Sequence, residues 1–486
     1  MTTRIVEGMN PQPSPTATQG VTLSKIRHAA CHVLVAAVAV VLTRPASAEA
    51  SKWAASWATA IQSAYVAPTT PQGSAIPAYS PQPDLSFALP NATVRGISNQ
   101  TLRMIIKPDL WSDTIRVRFS NFFGTRAVTF SAASVALQLY GANLVHNTSV
   151  RLTFNGYDSV TILPGQSVFS DPAFLPFAVA DSLTREIHPY VEGRNLAVSF
   201  AVAGSTGPAS YHEAAFNTSY ISPPGSGNVT RSEDDTVFPY STTSLFFVSE
   251  LDVVAPANTL VICAFGDSIT DGTASTLNGN DRWANVMSRT LHEKLGPYVS
   301  VVNEAIAGNA VAATVTGQPA TRRVGRDVVG LSGINLVVWL EGINDFGAAG
   351  STPAPVIAGY QQVVNALHAA GIKVIGATVT SSYPPGGMVP ANSPLVAISP
   401  AIAAAYGSAQ TDTYREQLNN FILTSGIYDG TADFSTATKD PTTGSLQAAF
   451  VPNSEGCAGD YLHPNRFGYQ VMGSTAAEAV INLDKK

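Results

Sequence analysis

"ICAFGDSITDG", Ile262 to Gly272, opens as an apolar strand and closes in small and polar residues that include two aspartates. Ser268 stands two residues past Gly266, where the apolar run gives out. Strands routinely end in small polar turns, so the stretch alone permits either a turn serine or a nucleophile. Its surroundings decide between them, and they decide the fold as well.

From Ala255 to Asn258 onward, apolar runs alternate with helical patterns. "TLVICAF", "VSVVNEA", "INLVVWLEG" and "KVIGATVT" read as strands. "RWANVMSRTLHEKL" places Trp283, Val286, Met287, Leu291 and Leu295 on one side at helical spacing. "PVIAGYQQVVNALHAAG" repeats the pattern and stops on Gly371, while "TYREQLNNFILTSG" and "NRFGYQVMGSTAAEAVINL" supply two more helices. Strand–helix alternation with fully apolar strands predicts a parallel sheet covered on both faces. Reactive sites of such sheets lie outside the carboxyl ends of the strands. Ser268 follows the first strand directly, and "NEAIAGN" and "LEGINDFG" follow two others.

The preceding half has a different rhythm. Between Trp53 and Glu250, "TLRMIIKP", "DTIRVRFSN", "AVTFSAASVALQL", "SVRLTFNG", "NLAVSFAVAG" and "TSLFFVSELDV" are separated by Gly, Pro, Asn and Ser clusters. In "TIRVRFS", Ile115, Val117 and Phe119 face one way while Arg116 and Arg118 face the other. This half predicts an all-β sandwich, jelly-roll-like in strand count, with a Pro/Gln/Ser-rich loop near Pro68 to Pro83. The expected division is a leader with signal peptide at 1–48, a β-sandwich at 49–254 and an α/β domain at 255–486.

Composition limits the possible functions. Hydrophobic residues make up 45% of the 486 and charged residues 12%, enough for a large core. Lys25, Arg27 and His28 precede the apolar tract Ala29 to Leu42, and Ala46-Ser47-Ala48 has the form of a cleavage site. A protein secreted or periplasmic after cleavage near Ala48 is expected, without stable membrane insertion. Cleavage would remove four basic residues and one acidic one, leaving 23 against 32 and a net charge of −9. With no basic run, nucleic acid is excluded as a main partner. CxxC, HExxH, GxxxxGK and GxGxxG motifs are absent, so no cofactor or metal is expected. Cys263, inside the apolar strand, reads as a buried thiol rather than a bridge to Cys457.

A serine nucleophile needs a base, and the base needs orientation. Among the six histidines after the leader, His292 and His368 fall within helices, and His146, His188 and His212 belong to the β half. His463 stands in "GDYLHPNRFGY", three residues after Asp460. Asp460 could orient its ring, or Asp460 or Asn465 could simply cap the final helix. Stabilising a tetrahedral oxyanion requires aimed donors. The N–H groups of Ser268 and Gly308 and the side-chain amide of Asn344 are the candidates, although the glycines also suit tight βα turns.

Gly266-Asp267-Ser268, Gly308 within "AIAGN", Gly342-x-Asn344-Asp345 and Asp460-x-x-His463-Pro464 resemble, in order, the four blocks of the SGNH, or GDSL, hydrolases. The resemblance spans roughly Leu260 to Leu483. It implies a three-layer flavodoxin-like fold and metal-free ester hydrolysis. It assigns Ser268 as nucleophile, His463 as base, Asp460 as its orienter, and Ser268, Gly308 and Asn344 as the oxyanion hole. The β half also resembles the N-terminal region of secreted bacterial GDSL-type esterases in "RVRFSNFFGT" and "TSYISPPG". The substrate stays open between small acyl or lipid esters and O-acetylated carbohydrate. An apolar acyl pocket could lie under an expected long loop from Ser381 to Ala405. The other functional class is a carbohydrate-binding protein that works through its β half.

Overall fold

The strand holding Cys263 is buried along almost its whole length, as befits an interior strand of a parallel sheet rather than an edge one. The computed structural model describes residues 50–65, 82–92, 94–179 and 191–485. The expected signal peptide, most of the Pro68 to Pro83 loop and His188 lie outside the described residues.

Seven strands of the β half carry the argument: β1 (Ser51–Ala58), β2 (Thr101–Ile106), β3 (Thr114–Ser120), β4 (Val128–Tyr140), β5 (Leu196–Ala203), β6 (Ser210–His212) and β7 (Val248–Pro256). β1, β7 and β3 lie side by side in one antiparallel sheet, and β2, β5 and β4 in another. The sheets meet through aromatic rings: Phe119 of β3 lies 5.4 Å from Phe130 of β4 and 5.6 Å from Phe200 of β5, centroid to centroid. β6 belongs to a third, small antiparallel sheet.

The predicted alternation of β3 is present, with Ile115, Val117 and Phe119 buried. Its polar face is not turned to solvent but docks on the α/β half. Arg116 pairs with Asp252 at 2.8 Å and donates to Ser332 Oγ at 3.1 Å. Arg118 pairs with Glu250 at 2.8 Å and donates to the Gly330 carbonyl at 3.2 Å. Burying charges is costly unless they are paired and hydrogen-bonded, and the loop at 330–332 completes those pairings. Ser300 Oγ also donates to the Ala55 carbonyl at 2.6 Å. The chain from Glu49 onward accordingly forms one compact unit, and the expected boundary at residue 254 falls inside β7.

The parallel sheet contains β8 (Leu260–Gly266), β9 (Val299–Ala305), β10 (Ile334–Leu340), β11 (Lys373–Ala377) and β12 (Gly430–Ala432), in spatial order β9-β8-β10-β11-β12. This is the 2-1-3-4-5 order of a doubly wound sheet, with its switch point between β8 and β10. Two helix pairs pack on it: Trp283–Leu295 with Arg466–Asp484, and Pro353–Ala369 with Ala409–Thr424. The first helix buries Trp283, Val286, Met287 and Leu291 as its spacing predicts, while Leu295 at its end is exposed. Gly371, at φ +75°, follows the second helix in the left-handed conformation that ends helices.

The expected loop from Ser381 to Ala405 instead holds two short helices, Pro394–Ile398 and Pro400–Tyr406. Each begins on a Ser-Pro pair. Ser399 Oγ accepts the Ile402 N–H, and proline at the first helical position loses nothing, because its N–H would be unpaired there. Cys263 and Cys457 are both free thiols, and burial pushes the Cys263 thiol up. Among the described residues, no helix is long and apolar enough to cross a membrane.

Candidate active site

β8 ends at Gly266, and a side chain there would collide with its neighbours. A Cβ would sit 2.1 Å from the Leu340 carbonyl oxygen at the end of β10. Glycine lets the two strand ends close up while the chain turns into a four-residue helix, Ser268–Asp271. Asp267 caps that helix, accepting the Ile269 N–H at 3.0 Å. Burial, reinforced by the nearby Glu341 and Asp345, pushes the Asp267 carboxyl well above the usual carboxylate range.

Ser268 Oγ lies 2.8 Å from His463 Nε2, and His463 Nδ1 lies 2.6 Å from Asp460 Oδ2. The other Asp460 oxygen accepts the N–H groups of Leu462 and His463 at 2.9 and 2.8 Å. The final helix is capped by Asn465, which accepts from Phe467 and Gly468, so Asp460 serves the histidine rather than the helix. A ring nitrogen facing a carboxylate carries its proton on that side, and the other nitrogen is left as an acceptor toward the serine hydroxyl. All three side chains are buried, with Ser268 6% exposed.

The candidate oxyanion donors converge on the same strand ends. The N–H groups of Ser268 and Gly308 have no acceptor among the described residues. Gly308 adopts φ +76°, where a Cβ would sit 2.6 Å from Thr316 Oγ1. Asn344 does not cap its helix, whose first turn has no side-chain cap. Its Nδ2 donates to the Asn309 carbonyl at 2.6 Å, and its Oδ1 accepts the Tyr406 hydroxyl at 2.5 Å. An Nδ2 amide has two protons, so one remains unspent.

Two supporting residues carry no signal in the sequence pattern. Arg323 is fully buried and donates to Asn309 Oδ1 at 2.7 Å, the Glu304 carbonyl at 2.6 Å and the Gly266 carbonyl at 2.8 Å. It thereby joins the ends of β8 and β9 to the turn after Gly308. Tyr406 ends the helix Pro400–Tyr406, just past the expected loop, and its hydroxyl sets which end of the Asn344 amide is the donor. Burial pushes its hydroxyl well above the ordinary tyrosine value. Among the described residues, no cluster of three or more His, Cys, Asp or Glu side chains is placed to hold a metal ion.

His212 lies in the β half, as expected, at the end of β6, and from there it reaches the α/β half. Its Nε2 lies 3.2 Å from Asp271 Oδ1, and its Nδ1 lies 2.9 Å from the Ala60 carbonyl. Burial pushes the imidazole down, but the charge of Asp271 and the hydrogen bonds outweigh it and leave the pKa raised. His146 pairs with Glu233 and His368 with Asp429, both away from the serine.

A serine, histidine and carboxylate in hydrogen-bonded series beside unspent N–H donors, at the carboxyl ends of a parallel sheet, are chemically suited to acyl transfer. The model of the GDSL-like lipase/acylhydrolase family matches residues 264–471. No curated protein matches the chain. Among solved structures it is similar to a Mycobacterium smegmatis aryl esterase, at 16% identity and TM-score 0.35, over 46% of this chain and 99% of that one. A Sinorhizobium meliloti carbohydrate acetylesterase family member matches at 17% and TM-score 0.35, over 47% and 100%. A Bacteroides thetaiotaomicron GDSL-like lipase matches at 15% and TM-score 0.32, over 46% and 88%.

Proposed function

We propose that this chain is a serine hydrolase of carboxylic esters, exported by its N-terminal signal and working through an acyl-enzyme. The observation that carries the reading is the unbroken Ser268–His463–Asp460 series at 2.8 and 2.6 Å. Ser268 Oγ attacks the ester carbonyl while its proton passes to His463 Nε2. The carbonyl oxygen becomes an oxyanion facing the N–H groups of Ser268 and Gly308 and the Nδ2 of Asn344. Asp460 holds the imidazolium that forms. Collapse expels the alcohol, which leaves with the His463 proton, and the acyl group stays on Ser268. Water then gives a proton to His463 and its oxygen to the acyl carbon, releasing acid and free serine.

The substrate is assigned as an ester of a small acyl or lipid group or an O-acetylated carbohydrate. The binding-protein reading is weaker, because the polar face of β3 is occupied by the loop at 330–332. An activity panel of short and long p-nitrophenyl esters and acetylated xylan, beside Ser268→Ala, tests the proposal. Hydrolysis of at least one ester that vanishes in the variant is expected. No hydrolysis by the folded wild type, or undiminished hydrolysis by Ser268→Ala, overturns it.

A further inference from the structure

We infer that His212, supplied by the β half, is a positioning residue of the catalytic centre and acts through Asp271 on the turn that carries Gly308. The inference rests on the oxyanion assignment above and adds a role for the β half within it.

Asp271 closes the short helix that Ser268 opens. One of its carboxylate oxygens faces His212 Nε2 at 3.2 Å, and the other accepts the Ala307 N–H at 3.0 Å. A single carboxylate thus fastens the nucleophile's helix to the residue before Gly308. The next amide along the chain, that of Gly308, is the one with no acceptor among the described residues. Two further bonds hold the same turn: Arg323 grips Asn309, and the Asn309 N–H reaches the Ile306 carbonyl at 3.0 Å.

His212 is built to keep that carboxylate in place. Both its ring nitrogens face acceptors, the Ala60 carbonyl and Asp271. An imidazole can donate to both only when it carries two protons, so the arrangement is an imidazolium against a carboxylate. Both side chains are 2% exposed. The partly buried Arg282 guanidinium also balances the charge of Asp271, so what His212 alone supplies is the hydrogen bond that fixes where this carboxylate points. Without that bond Asp271 would turn toward other donors, and the Ala307–Gly308 peptide would move with it. A misplacement of about 1 Å in a catalytic group can cost on the order of 10²-fold in rate.

Two near-isosteres separate this role from plain interface stability. In His212→Asn the amide nitrogen takes the place of Nδ1, so the Ala60 bond can survive while the Asp271 bond is lost. In His212→Gln the amide nitrogen takes the place of Nε2, so the bonds are exchanged. The full chain is assayed for kcat, KM and thermal unfolding with one p-nitrophenyl ester. His212→Asn is expected to lose about 10-fold or more in kcat with KM within about twofold, and His212→Gln to stay within about threefold of wild type. Ser300→Ala, which cuts a different bond between the halves, should leave kcat unchanged. If His212→Asn folds and keeps more than about a third of wild-type kcat, or if both variants lose equally, the inference is overturned. Should His212→Asn fail to fold, Asp271→Ala decides: it removes the Ala307 acceptor, and an unchanged kcat there overturns the inference equally. A wild type that neither hydrolyses esters nor reacts at Ser268 refutes the esterase reading instead.

Discussion

Replacing Asn344 by alanine removes three things at once, and the structure gives each a separate readout. The Tyr406 hydroxyl loses its acceptor and the Asn309 carbonyl loses its donor. Both sit in a buried site, where an unsatisfied polar group costs about 1–3 kcal/mol. The third loss is the free Nδ2 proton, and it registers only when negative charge develops on the substrate oxygen. Removing one such donor typically costs about 10²–10³ in kcat, or roughly 2.7–4 kcal/mol. KM should move little, because the ground-state carbonyl carries less charge. Asn344→Asp should do at least as much harm, since its second oxygen would face both the Asn309 carbonyl and the oxyanion. The assay is steady-state kinetics corrected for the folded fraction, with thermal unfolding alongside. A folded Asn344→Ala that keeps more than about a third of wild-type kcat would remove Asn344 from the oxyanion hole.

Other consequences are open to simpler tests. Tyr406→Phe deletes the hydroxyl that fixes the Asn344 amide; kcat should fall about 10-fold, less than for Asn344→Ala, because the amide itself remains. Equal kcat in Tyr406→Phe and wild type would show that the amide needs no such anchor. Asp460→Asn should lower kcat by favouring the wrong His463 tautomer, with KM little changed, and an unaltered kcat would rule out Asp460 as the orienter. Glu341 is fully buried, and desolvation, opposed by Arg323, pushes its pKa up to about 7. A carboxyl raised in the folded state adds stability below its unfolded value of about 4.5, and that stability is lost as pH rises through about 7. Urea unfolding at pH 5 and pH 8 should therefore show a decline, which Glu341→Gln reduces by roughly 3 kcal/mol. The same decline in the variant as in wild type would refute this.

The parts of the site that were legible in the sequence share a physical basis. Ser268, Gly308 and Asn344 each follow an apolar strand, and a parallel sheet brings such ends to one edge whatever the loops do. Asp460 and His463 are near enough in sequence to pair locally. His212, Arg323 and Tyr406 reach the same place through tertiary contacts across many residues. His212 bonds to Asp271 from 59 positions away, and Tyr406 to Asn344 from 62, so nothing in their own neighbourhoods marks them. The α/β half announces itself by periodicity, but the docking face of β3 does not. Arg116 and Arg118 have the alternation of a solvent-facing row, and the loop at 330–332 together with the Phe169 ring half-buries them. The two helices in 394–406 were hidden by Pro and Ser, which suit loops as readily as helix starts.

The central claim is that Ser268 attacks and is acylated. Intact wild-type protein treated with a fluorophosphonate, then digested and mapped by mass spectrometry, tests it most directly. One label per chain is expected, on the peptide containing Ser268, with parallel loss of esterase activity and no label on Ser268→Ala. A label on another serine, or full inactivation with Ser268 unmodified, would contradict the claim.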